Sequence, residues 1–151
     1  MENKKLAIAS DHAGYGLKNF LADHFRKLGY EVTDLGTDSE KSCDYPVFAE
    51  KLADFIISGG ADLGILCCGT GIGMSIAANK VPGIRAAACS DTFSAKYTRL
   101  HNDANVLCLG ARVVGEGLAA ELADIFVTTG FEGGKHARRV GLITEMEKRK
   151  K

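Results

Sequence analysis

The stretch Leu66–Gly73, LCCGTGIG, constrains the fold more than any other part of the chain. An apolar run from Asp62 to Cys67 leads to a second thiol, Cys68, and opens into glycines at 69, 71 and 73. The segment after it, MSIAANK (Met74–Lys80), reads as a helix, so the order here is strand, glycine turn, helix start. Such a turn aims backbone N–H groups beyond the strand end, and the helix N-terminus adds partial positive charge. The same charge that holds an anion favours a thiolate over a thiol. Cys68 stands where a reactive sulfur and a bound anion would meet.

Spacing removes the commoner uses of a glycine turn. A nucleotide-type phosphate loop needs Lys and then Ser or Thr after its last glycine, and Met74 and Ser75 stand there. The dinucleotide fingerprint G-x-G-x-x-G, begun at Gly69 and Gly71, requires glycine where Met74 is. A cysteine-phosphatase loop would want arginine at that same position. Cys67 and Cys68 are adjacent and no C-x-x-C pair exists, so no zinc pattern fits. An anion-holding turn with a thiol at its mouth remains.

The 151 residues are read as one domain, 1–151, long enough to bury about 68–70% of the unfolded surface. Net charge is zero with both signs interleaved, so no nucleic-acid face is expected and any anion must be held by a local cation cluster. No apolar run approaches the ~18 residues of a membrane span, and MENKK does not open a signal peptide. Five cysteines, an odd number and mostly within apolar segments, read as reduced thiols of a cytoplasmic protein.

Along the chain, strands are expected at Lys5–Ser10, Glu31–Leu35, Asp62–Cys67, Ile84–Cys89 and Asn105–Leu109. Helices are expected between them: one ending at Leu28, one starting at Pro46, Met74–Lys80, one following Asp91 as N-cap, and one carrying Leu118, Leu122, Ile125 and Phe126. Phe131–His136 reads as a loop, a last helix covers 137–150, and the terminal KRKK reads as a solvated tail. This alternation describes a single α/β domain with a parallel sheet and helices on both faces. Sites in such folds lie beyond the carboxyl ends of the strands. That rule selects Asp11 and His12, Cys68 to Gly73, Ser90 and Asp91, and Gly110 to Arg112. Plainer roles fit some candidates: Asp11 as an N-cap, His12 as a surface imidazole, His101 as a cation at a helix end.

Five motifs in order carry a resemblance: SDHAG at 10–14, DYP at 44–46, CGTGIGMSIAANKVPGIRA at 68–86, HNDANVL at 101–107 and EGGKHARRV at 132–140. Through them the chain resembles the type B ribose-5-phosphate isomerases, in the family that includes galactose-6-phosphate isomerase. The resemblance implies a three-layer α/β/α Rossmann-like fold with a five-stranded parallel sheet in the order 2-1-3-5-4. It implies no metal and no cofactor, a phosphorylated sugar as substrate, and a homodimer or dimer of dimers with sites at the dimer interface. The 137–150 helix is then expected to pack on the dimer partner.

Carried over by residue, the resemblance makes Cys68 the base that moves a proton between C1 and C2 of the open sugar. The amides of Gly69, Thr70, Gly71, Ile72 and Gly73 would hold the enediolate. His101, helped by Asp11 and Thr70, matches the group that opens the furanose ring. His12, Arg112, Lys135 and Arg139 match phosphate ligands, and Tyr45 and Asn102 match sugar contacts. Lys135 stands where some members have arginine, keeping the charge without the bidentate fork. Another branch lacks this cysteine and uses a glutamate at the position of Met74; Cys68 puts this chain in the cysteine branch.

The resemblance also implies that galactose-type enzymes divide these motifs between two different chains, whereas one chain carries them all here. The first reading is therefore a ribose 5-phosphate/ribulose 5-phosphate isomerase, and the alternative substrate is a six-carbon phosphate of allose or galactose. Two other classes stand as rivals. A flavodoxin-like binding module would want a second acid after the third strand and a lysine after the fifth. A thiol-regulatory protein would want a resolving cysteine.

Overall fold

Short apolar runs bounded by glycine and polar residues form the sheet. In the computed structural model, which describes residues 4–149, the strands are β1 (Lys5–Ser10), β2 (Glu31–Asp34), β3 (Leu63–Cys68), β4 (Ala86–Ala88) and β5 (Val106–Gly110). All neighbours pair in parallel, in the order β2-β1-β3-β5-β4. Every residue of β3 and of β5 is buried, because helices cover both faces of the central strands.

The helices are α1 (Tyr15–Lys27), α2 (Tyr45–Ile57), α3 (Ile72–Ala78), α4 (Thr92–Asn102), α5 (Glu116–Thr128) and α6 (Lys135–Arg149). Strand alternation sorts the core into two halves. Leu6, Ile8, Cys67, Leu107 and Leu109 pack with Leu21 and Phe25 of α1, Ala95 of α4, and Leu122 and Phe126 of α5. Ala7, Ala9, Leu66, Cys68 and Cys108 pack with Leu52 and Ile56 of α2 and Met74 of α3. Burying one such leucine or phenylalanine side chain is worth about 1.5–3 kcal/mol. Cys67 and Cys68 therefore face opposite layers, with the polar turn joined to the second.

Several boundaries differ from those expected. β3 includes Cys68, and α3 starts at Ile72, so Gly73 is already helical. β4 keeps only Ala86–Ala88, an edge strand; Ile84 is buried and the carbonyl of Arg85 accepts from Asn105 N at 2.9 Å. The last helix begins at Lys135, directly after the left-handed pair Gly133 (φ 75°) and Gly134 (φ 57°), so Lys135 and His136 are helical. Lys148 and Arg149 close α6, and the rest of the expected tail lies outside the described residues. Lys18, on an otherwise apolar face of α1, is only 2% exposed and holds both oxygens of Asp34 (3.0 and 2.8 Å) and the carbonyl of Thr37 (2.7 Å). That ammonium ties the end of β2 to the loop after it.

The crossovers fix what each end of the sheet carries. A helix that leaves the carboxyl end of one parallel strand must return the chain to the amino end of the next. α4 follows its N-cap Asp91, whose carboxylate accepts from Ser94 N at 2.7 Å, and its 11 residues rise about 16 Å. It ends beside Arg85, the residue just before β4, whose Nε donates to the carbonyls of Asn102 (2.9 Å) and Asp103 (3.1 Å). The start of α4 and its end thus lie at opposite ends of the sheet.

Candidate active site

At the carboxyl end, the glycine turn is locked to both neighbouring strands. Asp11 N donates to Cys67 O (3.2 Å), Ala111 N to Cys68 O (2.8 Å) and Arg112 N to Gly69 O (3.0 Å). Gly71 takes φ 81° as the N-cap of α3, which turns its N–H back onto Cys68 Sγ at 3.1 Å. Thr70 Oγ1 accepts from Ile72 N at 3.2 Å. Cys68 is 5% exposed, and Asp11, 6% exposed, accepts from Gly14 N at 3.1 Å.

The remaining groups of this end close around the turn. A Cβ on Gly69 would sit 3.3 Å from Arg112 Nη1, and one on Gly73 would sit 2.7 Å from the ring of Tyr45. His12 Nδ1 accepts from Cys43 N at 3.2 Å, so a neutral His12 carries its proton on Nε2, the nitrogen free to donate to an anion. His12 and Ala111 line one hollow. The structure thus brings Asp11, His12, Tyr45, Cys68, Gly69, Thr70, Gly71, Ile72, Gly73 and Arg112 to one end.

The neighbouring thiols differ from Cys68 in their surroundings. Burial, and then the nearness of Cys68, push the Cys67 thiol far up, and burial does the same for Cys108. Cys89 is pushed up to about 11, chiefly by burial and then by Asp91. These three remain neutral thiols near neutral pH.

Close packing at the turn leaves little room for substitution. A Cβ on Gly14 would lie 2.4 Å from Cys67 O, a backbone atom next to the candidate base Cys68. Gly14→Ala should destabilise the fold by about 1–3 kcal/mol, since strand and turn must part to admit the methyl group. Urea unfolding reads this as a lower midpoint at unchanged slope; an unchanged midpoint would contradict this packing.

The other candidates lie at the amino end. His101 and Asn102 finish α4, and Lys135 and Arg139 lie in the first turns of α6. α4 has carried His101 and Asn102 to the far end from Cys68, so the residues assigned through the resemblance divide between the two ends of the chain. The chain after α5 stays there, with Glu132 N donating to Leu100 O at 3.0 Å. Asn102 Oδ1 accepts from Thr98 Oγ1 at 3.1 Å.

His101 has neighbours that the sequence reading passed over. Its ring stacks on His136 with centroids 3.9 Å apart and planes 9° from parallel, and meets Tyr97 edge-on at 5.0 Å. The two oxygens of Glu132 lie 3.7 Å from His101 Nε2 and 3.7 Å from His136 Nε2. Burial, and then the adjacent His101, lower the His136 pKa; Glu132 acts in the opposite sense. Glu132 lies in the loop and His136 in the first turn of α6, brought together across the left-handed Gly133–Gly134 pair within the segment expected to be a loop.

Chemically, the carboxyl end offers a thiol among inward-facing amides, suited to moving a proton beside a carbonyl while holding an oxyanion. The amino end offers imidazole, carboxamide and cations. Comparison with known proteins gives the family of the chain. The profile of the family described as Ribose/Galactose Isomerase matches residues 6–143.

The chain belongs to that family.

The family match takes in both ends, from Asp11 to Arg139. Ribose-5-phosphate isomerase B of Escherichia coli K12 is 48% identical over 147 residues, covering 97% of this chain and 99% of that protein. The structure of Clostridium thermocellum ribose-5-phosphate isomerase B superposes with a TM-score of 0.96 at 54% identity, covering 97% of this chain and 99% of that one. Ribose-5-phosphate isomerase B from Mycoplasma genitalium, solved with bound ribulose-5-phosphate, gives 0.91 at 41% identity, covering 96% and 97%. The expected strand order of the family resemblance is the order observed.

Proposed function

We propose that the chain interconverts ribose 5-phosphate and ribulose 5-phosphate through an enediolate, with Cys68 as the base. Family membership and the activities named for its relatives support the reaction. The observation that carries the residue assignment is Cys68 at the end of β3, with its Sγ at the Gly71 N–H inside a run of turn amides. In the open aldose, the Cys68 thiolate takes the proton from C2 and the C2–H electrons form the C1=C2 bond. Negative charge moves to O1, where the amides of Gly69 to Gly73 meet it. The O2 proton passes to O1, the C1=C2 electron pair takes the thiol's proton at C1, and the O2 electrons close the carbonyl at C2, which regenerates the thiolate.

The ring must open first. His101 takes the proton from the anomeric hydroxyl as the C1–ring oxygen bond breaks, and Asp11 and Thr70 assist proton movement to the ring oxygen. His12, Arg112, Lys135 and Arg139 hold the phosphate, while Tyr45 and Asn102 contact the sugar. Because His101 and Cys68 occupy opposite ends of one chain, this reading needs two copies. The amino end of one chain meets the carboxyl end of the other, and two-fold symmetry then gives two such sites. The working unit is a homodimer or a dimer of dimers. α6 presents exposed Leu142, Ile143 and Met146 for packing on the partner. Among the described residues no helix is long and apolar enough to cross a membrane. Five free cysteines suit a reducing compartment, the cytoplasm.

One set of rate measurements tests the function. The purified chain should show its highest kcat/KM on ribose 5-phosphate, a lower one on allose 6-phosphate and little activity on galactose 6-phosphate. One extra hydroxymethine group is a modest discriminator, so the first two should differ less than the first and third. A preference for galactose 6-phosphate, or no turnover of any of the three, would overturn the reading.

A further inference from the structure

We infer that His101, Glu132 and His136 form a binding site for a divalent transition ion of the zinc type, and that its occupancy withdraws His101 from ring opening. The second half rests on the function proposed above; the first stands on geometry alone. The two imidazole nitrogens and a carboxylate oxygen all lie within 4.8 Å of one another. Each Nε2 is 3.7 Å from its own oxygen of Glu132. Around a tetrahedral ion with bonds of ~2.1 Å, ligand atoms stand ~3.4 Å apart, so the cluster needs to contract only modestly.

The side chains that must move are those free to do so. His101 is 38% and Glu132 53% exposed, whereas His136 is 9% exposed and held beneath the stack. His101 tips out of its parallel stack so that both lone pairs converge, and Glu132 swings from a backbone already fixed to Leu100 O. Two imidazoles and one carboxylate suit zinc, cobalt, nickel or copper, not magnesium, and leave a fourth position open to water. Lys135 and Arg139 lie close by and oppose a cation, so the site is one for reversible inhibition and not for a resident cofactor. An ion on His101 Nε2 occupies the lone pair that would take the anomeric proton.

The test is calorimetric titration of the intact protein with Zn²⁺, Co²⁺ and Mg²⁺, beside Glu132→Gln and His136→Gln. Glu132→Gln changes an exposed loop residue and keeps the fold within reach even if His136→Gln does not. The expected result is binding of Zn²⁺ and Co²⁺ but not Mg²⁺, weakened about tenfold or more (~1.4 kcal/mol) in each variant. The Co²⁺ complex should lack the intense near-ultraviolet band of a thiolate ligand, which excludes capture at Cys43 or Cys68. Unchanged Zn²⁺ affinity in Glu132→Gln, or a thiolate band, overturns the site. Zn²⁺ should also slow ribose 5-phosphate turnover, less so in Glu132→Gln; binding without slowing overturns the link to His101. A protein inactive on every sugar phosphate would defeat the proposed function while leaving the binding result standing.

Discussion

Cys68→Ala should isomerise ribose 5-phosphate about a thousandfold more slowly than the wild type, within the range for loss of a positioned proton-transfer group. Sugar-phosphate affinity should stay within about tenfold, roughly 1.4 kcal/mol, because the turn amides and the cations that hold the ligand remain. Initial rates and calorimetric titration separate the two effects. Cys67→Ala is the internal control: Cys67 is fully buried in the opposite layer, so its loss should lower stability and spare turnover. Turnover near wild type in Cys68→Ala would show that another group is the base.

His101→Asn should lose about a hundredfold on ribose 5-phosphate, which reaches the enzyme mainly as a closed ring. The same variant should keep a reaction that needs no ring. Ribulose 5-phosphate cannot close a furanose, because its terminal oxygen carries the phosphate. In deuterated water, the enzyme should therefore exchange the C1 proton of this ketose through Cys68 alone. NMR should show exchange retained within about tenfold in His101→Asn and abolished in Cys68→Ala. Equal loss of exchange in both variants would place His101 in the proton transfer at carbon and remove its ring-opening role.

The sheet was legible because buried parallel strands are continuous apolar runs, and β1 was read with the bounds it has. The adjacent thiols followed from strand alternation, which sends Cys67 and Cys68 to different layers. The carboxyl-end cluster followed from fold class and spacing. What escaped was whatever depends on three-dimensional return. His101 belongs to a motif in sequence, but only the direction of α4 shows that it ends beside Arg85, at the far end from Cys68. Nothing in the local pattern marks Lys18 for burial; Asp34 and Thr37, brought in from after β2, close over it. Glu132 and His136 were hidden by the glycine pair between them, which sits directly before α6 and leaves only His136 helical. The resemblance implied sites at a dimer interface without saying which of the residues lie at which end of the chain.

The most direct test of a site shared between two chains is a hybrid dimer of Cys68→Ala and His101→Asn, co-expressed with different tags and purified through both. In a shared site, one of the two active centres takes Cys68 from one chain and His101 from the other, both intact. The hybrid should then recover about half the wild-type rate on ribose 5-phosphate, while each parent homodimer stays deficient. If both groups served the same chain's centre, every centre in the hybrid would lack one of them. A hybrid no more active than its parents would contradict the account.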